Sequence, residues 1–237
     1  MAKMAEQIGL DSLARPTSFR NLAVFAKQID AIEEISDGRV ILGLGAGWNE
    51  LEYTAFGLPF DKRVSRFEEA FTIIRSLLRD GTVDFEGTYY SARNCDLCPR
   101  GPRPNGPHLM IGSNGPRMLG ITLPYVDSWN TWLCDDRSAP DEIPAMREKV
   151  DARCREVGRD PATLGRSCSI AIDPTGKREI PGCIPARAEP LTGSAQAVAE
   201  AIHAFADEGI DHIQIYMVPS TMQSIEWLAE LVQVLES

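Results

Sequence analysis

The feature that most constrains the fold is a repeated alternation of short runs rich in β-branched residues with longer amphipathic stretches. Such alternation is typical of βα units, which pack parallel strands against a layer of helices. Strands are predicted near Val40, His108, Val126, Ser167 and His212, and a helical pattern follows each of them. The sequence therefore predicts an α/β fold with about five parallel strands, where a closed barrel of βα units has eight.

Helices are predicted where apolar residues recur at helical spacing, as they do between Phe67 and Leu77. A hairpin is predicted over residues 83–90, with its turn at Glu86-Gly87. Segments rich in Pro and Gly predict surface loops over residues 98–107 and 177–190. The predicted helices cover residues 21–35, 63–79, 116–123, 141–157, 194–207 and 222–235.

The length of 237 residues suits one α/β domain, and we interpret residues 1–237 as a single domain. The formal net charge of −10 argues against binding to nucleic acids or anionic membranes, because such partners favour clusters of Lys and Arg. Residues 1–13 lack the apolar run of a signal peptide, and no later stretch has the length of a membrane span. These features favour a cytoplasmic protein with no nucleic-acid or membrane partner.

The six cysteines are scattered along the chain, and we expect them to be reduced thiols. Cys95 and Cys98 form a closely spaced pair, but a structural zinc site needs four ligands and no second pair completes the set. His108, His203 and His212 are widely separated and have no carboxylate or cysteine partner at ligand spacing. The sequence therefore indicates no metal site.

A glycine-rich run, Gly43-Leu44-Gly45-Ala46-Gly47-Trp48, follows the first of these strands. A dinucleotide-binding fingerprint requires Gly-x-Gly-x-x-Gly, and Trp48 occupies the last glycine position, so the fingerprint is absent. Glycines at the end of a strand let the backbone pass close to a flat ligand, since no side chain intervenes. A tight turn without a ligand is the alternative that the run alone leaves open.

A second segment, Ser113-Asn114-Gly115-Pro116-Arg117, lies between a predicted strand and a predicted helix. Pro116 suits the first position of a helix, and Ser113 or Asn114 can cap it. Free N–H groups at a helix start bind anions, and Arg117 can add a charge-assisted hydrogen bond. A capped helix without a ligand fits the segment equally well, but its position after a central barrel strand favours a phosphate ligand.

Three tryptophans, Trp48, Trp129 and Trp132, lie near the ends of predicted strands, where aromatic rings can wall a pocket for a flat ring. Packing in the core is the alternative. Glu50 and Glu52 are unsuited to act as an acid–base pair, because helical residues two apart do not converge. No acid, base or nucleophile stands out, which is consistent with a cofactor that carries the chemistry.

Further motifs occur in a fixed order along the chain: Ser36-Asp37-Gly38-Arg39, Gly43 to Tyr53, Phe85-Glu86-Gly87, Ile111 to Arg117, Asp127 to Asn130, and Leu191 to Ser194. In this order they resemble the luciferase-like family of flavin- and F420-dependent oxidoreductases. The resemblance extends from Arg20 to Leu235. It implies a TIM-barrel-like (β/α)8 fold, incomplete here, with about five parallel strands.

The resemblance implies that the protein holds coenzyme F420, or alternatively FMN, at the carboxyl ends of its strands. With this cofactor it would transfer hydride to or from a small organic substrate, or oxygenate it. The residues implied beside the cofactor ring are Gly45, Ala46, Gly47, Trp48 and Asn49. The residues implied at the phosphate are Gly112, Ser113, Asn114, Gly115 and Arg117. The resemblance assigns no catalytic residue.

The front of the chain departs from the family, whose members have a strand, a helix and two further strands before the region of Arg20-Asn21. Residues 2–13 resemble the family's first helix, joined almost directly to Arg20, so the first three barrel strands are expected to be missing. Their absence exposes an apolar barrel wall, which favours a homo-oligomer. The alternative function is that of a truncated, catalytically inactive remnant that folds or self-associates without binding a cofactor.

Overall fold

The computed structural model describes residues 10–135, 137–177 and 188–236. The chain separates into two compact units, residues 1–128 and 129–237, which are described in turn. No helix in these described ranges has the length and apolar character that a membrane span requires. The loop predicted over residues 177–190 lies mostly on residues outside the described ranges, and the interpretation of the chain as one domain stays a prediction.

The first unit is built from strands β1 (Leu10–Pro16), β2 (Val40–Gly45), β3 (Thr82–Glu86), β4 (Ser91–Asp96) and β5 (His108–Gly112) and helices α1 (Leu22–Ile35), α2 (Glu50–Ala55), α3 (Arg63–Asp80) and α4 (Pro116–Thr122). Strand β2 pairs in parallel with β1 on one side and with β5 on the other, and Leu42 lies opposite Ser12 and Leu109. Strands β3 and β4 form the predicted hairpin, which is antiparallel. The parallel arrangement predicted for the strands near Val40 and His108 is confirmed.

Strand β1 corrects the expectation for residues 2–13, whose last four residues lie in a strand rather than in a helix. Partly buried residues alternate with exposed ones along β1. The pairing with β2 is irregular between Ser12 and Arg15, where Ala14 has a φ of 34°. Pairing with a strand distant in sequence satisfies the backbone of this segment, whose apolar residues Leu10, Leu13 and Ala14 do not follow a two-residue period. A parallel strand therefore precedes β2, where the sequence predicted none.

Local sequence explains where the helices of the first unit begin and end. Asn21 caps α1, because its side-chain oxygen accepts a hydrogen bond from the N–H of Val24 at 3.1 Å. Helix α3 buries an apolar stripe that includes Phe67 and Ile74. It ends at Gly81, whose φ of 83° favours glycine.

The loop between β4 and β5 is tied to α1 through a buried carboxylate. Glu33 is fully buried and accepts hydrogen bonds from Arg103 (Nη2 to Oε2, 2.8 Å) and from the N–H of Val40 (3.1 Å). Arg103 Nη2 also donates to the carbonyl oxygen of Val40 at 2.7 Å. On the same helix, Asp30 accepts a hydrogen bond from the N–H of Gly101 at 2.9 Å. Loop, helix and strand therefore share one ion pair, and its loss leaves a buried charge.

We predict that Arg103→Ala lowers the free energy of unfolding by about 3 kcal/mol or more, because it leaves the Glu33 carboxylate buried without its cation. Equilibrium urea unfolding measures the change. Arg93→Ala is the matched control, since Arg93 pairs with Glu86 on the surface, and its effect should stay below about 1 kcal/mol. Equal effects of the two substitutions would contradict the role given to the buried pair.

The second unit is built from strands β6 (Ser128–Trp132), β7 (Gly165–Asp173), β8 (Leu191–Thr192) and β9 (His212–Met217) and helices α5 (Ile143–Glu156), α6 (Ala195–Asp207) and α7 (Met222–Leu235). Strand β7 lies beside β6 and pairs in parallel with β8 and β9. Side chains that include Ile170, Phe205 and Leu231 form its apolar core. The strands predicted near Ser167 and His212 are confirmed as parallel neighbours.

Candidate functional site

The loop that follows β2 contains the first group of predicted cofactor residues. Tyr53 Oη donates a hydrogen bond to the carbonyl oxygen of Ala46 at 2.7 Å, and Arg63 Nη1 donates to the carbonyl oxygen of Gly47 at 3.1 Å. Asn49 caps α2 through its side-chain oxygen. Three side chains thus fix the course of this loop.

Packing inside the protein explains two of the three glycines in the run. A Cβ atom on Gly43 would lie 2.3 Å from the carbonyl oxygen of Ser12, and one on Gly47 would lie 2.3 Å from Tyr53 Oη. Gly47 also has a φ of 76°, which favours glycine. At Gly45 a Cβ atom makes only ordinary contacts. The tight approach at Gly43 and Gly47 is therefore an approach of the chain to itself, as the turn alternative predicts.

We predict that Gly43→Ala lowers the free energy of unfolding by about 1 to 3 kcal/mol, because the added methyl group overlaps a backbone oxygen of β1. Gly45→Ala, two residues along the same strand, is the matched control and should change it by less than about 1 kcal/mol. Urea unfolding of both variants measures the difference. If the two substitutions are equally tolerated, β1 does not approach β2 as closely as described.

The three tryptophans near the strand ends differ in exposure. Trp48 is 79% exposed and follows the Gly47 turn, whereas Trp129 is fully buried. Trp132 is 41% exposed, and its ring packs edge-on against Tyr216 with 6.4 Å between centroids. Core packing therefore accounts for Trp129, while Trp48 presents its ring to solvent.

The turn that follows β5 contains the second group of predicted cofactor residues. Helix α4 begins at Pro116, as predicted, with Gly115 at the N-cap position and no side chain capping it. The Ser113 hydroxyl instead accepts a hydrogen bond from the N–H of Gly115 at 3.4 Å. Asn114 and Arg117 are exposed. The expected cap by Ser113 or Asn114 is wrong, because the turn places neither residue at the N-cap.

A cavity of about 310 Å³ lies between the start of α3 and Arg117. Phe60, Lys62 and Arg63 line it together with Arg117. The guanidinium carbon of Arg63 lies 3.9 Å from the centroid of the Phe60 ring, and the same side chain holds the carbonyl oxygen of Gly47. The cavity therefore lies beside both groups of predicted cofactor residues. Sequence reasoning missed Lys62 and Arg63, although two adjacent cations at the start of a helix were a usable signal.

The charges at this cavity are only partly balanced. Arg117 forms an ion pair with Glu68 at 2.8 Å, and both side chains are about half exposed. Within the described part of the chain Lys62 and Arg63 form no ion pair, and the first turn of α3 contains no acidic residue. The start of a helix adds a partial positive charge. The cavity is therefore locally positive in a protein of net charge −10, which suits an anionic ligand.

At the opposite end of β5, polar side chains bind one another. His108 Nε2 lies 2.8 Å from Ser128 Oγ, and Asp127 accepts hydrogen bonds from the N–H of Leu109 at 2.7 Å and from Arg79 at 2.6 Å. Burial lowers the pKa of His108. These contacts hold residue 127 in the connection to β6, so β6 begins two residues later than predicted.

Because the folded protein lowers the pKa of His108, the unfolded chain binds the proton more strongly. The neutral His108 side chain therefore contributes its full share of the unfolding free energy above the ordinary histidine pKa of about 6.5. That share is lost as the pH falls through the lower pKa that His108 has in the folded state. We predict that His108→Asn reduces the fall in unfolding free energy between about pH 7.5 and pH 5, measured by urea unfolding. His203→Asn, on an exposed position of α6, should keep the wild-type fall. An unchanged pH dependence in His108→Asn would refute the prediction.

The cysteines and histidines of the described ranges bring together no metal site. No group of three or more metal-binding side chains occurs there, and the described cysteines are free thiols. Burial raises the pKa of Cys134 and that of Cys168 to about 12, so both stay protonated. Cys183 lies outside the described residues.

Polar side chains inside the second unit satisfy one another. Asn130 donates to Ser167 Oγ at 3.1 Å and to Gln214 Oε1 at 2.7 Å, and Ser169 Oγ donates to Asn130 Oδ1 at 3.3 Å. A fully bonded network of this kind makes a rigid interior. Asn130, which belongs to one of the motifs that carry the resemblance, is therefore a packing residue in this structure.

Comparison with known proteins gives a consistent set of relatives. A family model described as luciferase-like monooxygenase matches residues 1–175. The 5,10-methylenetetrahydromethanopterin reductase of Archaeoglobus fulgidus is 29% identical over 153 residues, which are 64% of this chain and 44% of that protein. The phthiodiolone/phenolphthiodiolone dimycocerosates ketoreductase of Mycobacterium tuberculosis is 32% identical over 149 residues, which are 61% and 38%. The matches thus span about two fifths of the length of these relatives.

Among solved structures, an F420-dependent secondary alcohol dehydrogenase in complex with an F420-acetone adduct has the same fold. The TM-score is 0.78 at 19% identity, and the match covers 98% of this chain and 82% of that one. The likeness confirms the predicted α/β fold of the TIM-barrel-like class. The parallel sheet of the described ranges has fewer strands than the eight that form a closed barrel.

Proposed function

This chain belongs to the luciferase-like monooxygenase family, and from that premise we propose that it binds coenzyme F420, or alternatively FMN, and acts as an oxidoreductase on a small organic molecule. The observation that carries the proposal is the cationic cavity lined by Lys62, Arg63 and Arg117. It adjoins both loops that the resemblance assigns to the cofactor. Both cofactors carry phosphate, the kind of anion that clustered Lys and Arg side chains bind.

We assign the phosphate end of the cofactor to this cavity and to the turn after β5. Arg117 is available there, because its partner Glu68 is half exposed and an exposed ion pair contributes about 1 kcal/mol or less. A charge-assisted hydrogen bond to a phosphate contributes more, about 1.5 to 3 kcal/mol. The assigned residues are Lys62, Arg63, Gly112, Ser113, Asn114, Gly115 and Arg117.

We assign the ring end to the loop after β2. A Cβ atom at Gly45 would make only ordinary contacts, with Ala14, and the indole of Trp48 is exposed and free to cover a flat ring. Arg63 links the two ends, since it lines the cavity and also donates to the carbonyl oxygen of Gly47. The assigned residues are Gly45, Ala46, Gly47, Trp48 and Asn49.

The bound cofactor supplies the hydride-transfer or oxygenation chemistry, and the protein binds and orients it. We propose F420 before FMN because one of the solved structures of the same fold is that of an F420-dependent enzyme. No side chain at the site is assigned as an acid or a base. The substrate is proposed only as a small organic molecule, because substrate loops vary independently of the scaffold.

We also propose that the protein is a cytoplasmic homo-oligomer. In the described chain β1 pairs with β2 on one side only, and an open strand edge favours pairing with another chain. Sedimentation that finds only monomer at all concentrations would contradict the oligomer. The alternative function, an inactive remnant, differs from the main proposal in one measurable property, which is the absence of cofactor binding.

We predict that Arg117→Ala weakens binding of F420 or FMN by about 1.5 to 3 kcal/mol, because it removes a charged hydrogen-bond donor to phosphate. Glu68→Gln should have the opposite effect and tighten cofactor binding, since it removes the carboxylate that competes with the phosphate for Arg117. Isothermal titration of each cofactor measures both effects. Arg93→Ala, an arginine in a surface pair away from the cavity, should leave binding unchanged.

The dependence of cofactor binding on ionic strength is a second test of the attraction between the cavity and the phosphate. Raising the ionic strength should weaken wild-type binding, because part of the attraction is between screened charges. If folded wild-type protein binds neither F420 nor FMN, the cofactor proposal fails and the inactive-remnant alternative stands. Binding that Arg117→Ala leaves unchanged would instead overturn only the assignment of the phosphate end.

A further inference from the structure

A second cavity, of about 680 Å³, lies between β1 and α1. Phe25, Ile29 and Ile32 on α1 form its apolar wall, and Arg15 and Arg20 also line it. Its volume is within the range of about 300 to 1,000 Å³ that is typical of small-molecule sites. None of its lining residues belongs to the cationic cavity assigned above. The cavity thus combines an apolar surface with two cations.

Among the residues that the structure describes, no carboxylate pairs with either of the two arginines. Neither Arg15 nor Arg20 forms an ion pair within the described ranges, and although Asp11 also lines the cavity, no ion pair joins it to either of them. Burial, and then the nearby charge of Arg15, lowers the pKa of Arg20. The Arg20 guanidinium lies 4.8 Å from the centroid of the Phe25 ring, at the apolar wall. A partly buried cation beside a second, exposed cation favours an anion between them.

The lining of the cavity indicates what kind of ligand it would bind. Arg15 and Arg20 provide positive charge, and the side chains of α1 provide an apolar wall. These two features match a ligand with an anionic head and an apolar body.

We propose that this cavity binds an amphiphilic carboxylate of the fatty-acid class. The carboxylate lies at Arg15 and Arg20, where guanidinium groups match its planar, two-oxygen geometry. The alkyl chain lies along Phe25, Ile29 and Ile32, where its burial removes apolar surface from water. The site is independent of the cofactor proposal, because the two cavities share no residue.

Isothermal titration of the full chain with dodecanoate tests the proposal. We expect saturable binding, and Arg15→Gln combined with Arg20→Gln should weaken it about tenfold or more, because two charge-assisted contacts are lost. Dodecanol, which has the same chain without the charge, should bind the wild type and the double variant equally. Ile32→Asp should weaken dodecanoate strongly, since it places a like charge on the apolar wall. Arg155→Gln, an exposed arginine on α5, is the matched control and should bind as the wild type does.

Three results would overturn the proposal. One is the absence of saturable dodecanoate binding by wild-type protein whose circular dichroism shows it to be folded. Another is equal dodecanoate affinity in the wild type and the arginine double variant. The third is a stable dimer in sedimentation that excludes dodecanoate, which would make a second copy of the chain the occupant of this surface. Titration of F420 against the double variant separates the two proposals, because loss of the fatty-acid site should leave cofactor binding intact.

Discussion

The close approach of β1 to its neighbours is the constraint on which the first unit depends. At Gly43 the backbone of β1 comes so near that a Cβ atom would lie 2.3 Å from the oxygen of Ser12, and at Gly112 one would lie 2.8 Å from the Cβ of Ala14. The irregularity at Ala14 lets a single residue of β1 reach across β2 toward β5. Glycines on both strands therefore allow the three strands to meet. This packing fixes where the loops after β2 and β5 begin, and both loops contain predicted cofactor residues.

The arginines of this protein differ in the groups that they contact. Arg103 is paired with the buried Glu33 and Arg79 with Asp127, and each holds a loop or a strand start in place. Arg63 instead bonds a backbone carbonyl and keeps its charge unneutralised in a cavity. Arg20 is similar, since its charged neighbour in the second cavity is Arg15. Because the protein has a net charge of −10, two such cations that line the same cavity stand out as a local positive charge, which favours an anionic ligand.

Much of the fold follows from the sequence, because strong periodicity decides local structure. Helix α7 has the predicted bounds, strand β9 begins at the predicted residue His212, and α3 differs from its prediction by one residue. Strand β1 was not predictable in the same way, since its apolar residues do not alternate with polar ones along the sequence and its partner lies 30 residues away in the register Leu10 to Val40. Here tertiary pairing, and not local preference, determines the structure.

The candidate site was predictable only in part. The two loops are recognisable as motifs, but the glycine pattern alone does not say whether a glycine makes room for a ligand or for the chain itself. The structure distinguishes them, because an added Cβ atom would overlap other parts of the protein at Gly43 and Gly47 but would make only ordinary contacts, with Ala14, at Gly45. Lys62 and Arg63 join the site through the folding of α3 against the turn after β5, a proximity that no local pattern contains.

The ion pair between Arg117 and Glu68 affects how an anion would bind in the cationic cavity. Because both side chains are about half exposed, the pair contributes about 1 kcal/mol or less, so its rupture costs little. It nevertheless keeps the guanidinium ordered beside the cavity while no anion is present. The guanidinium of Arg63 is held beside the cavity in the same way, because it donates a hydrogen bond to the carbonyl oxygen of Gly47. A phosphate would thus meet groups that are already positioned, and most of its interaction energy would be retained as affinity and not spent on ordering the site.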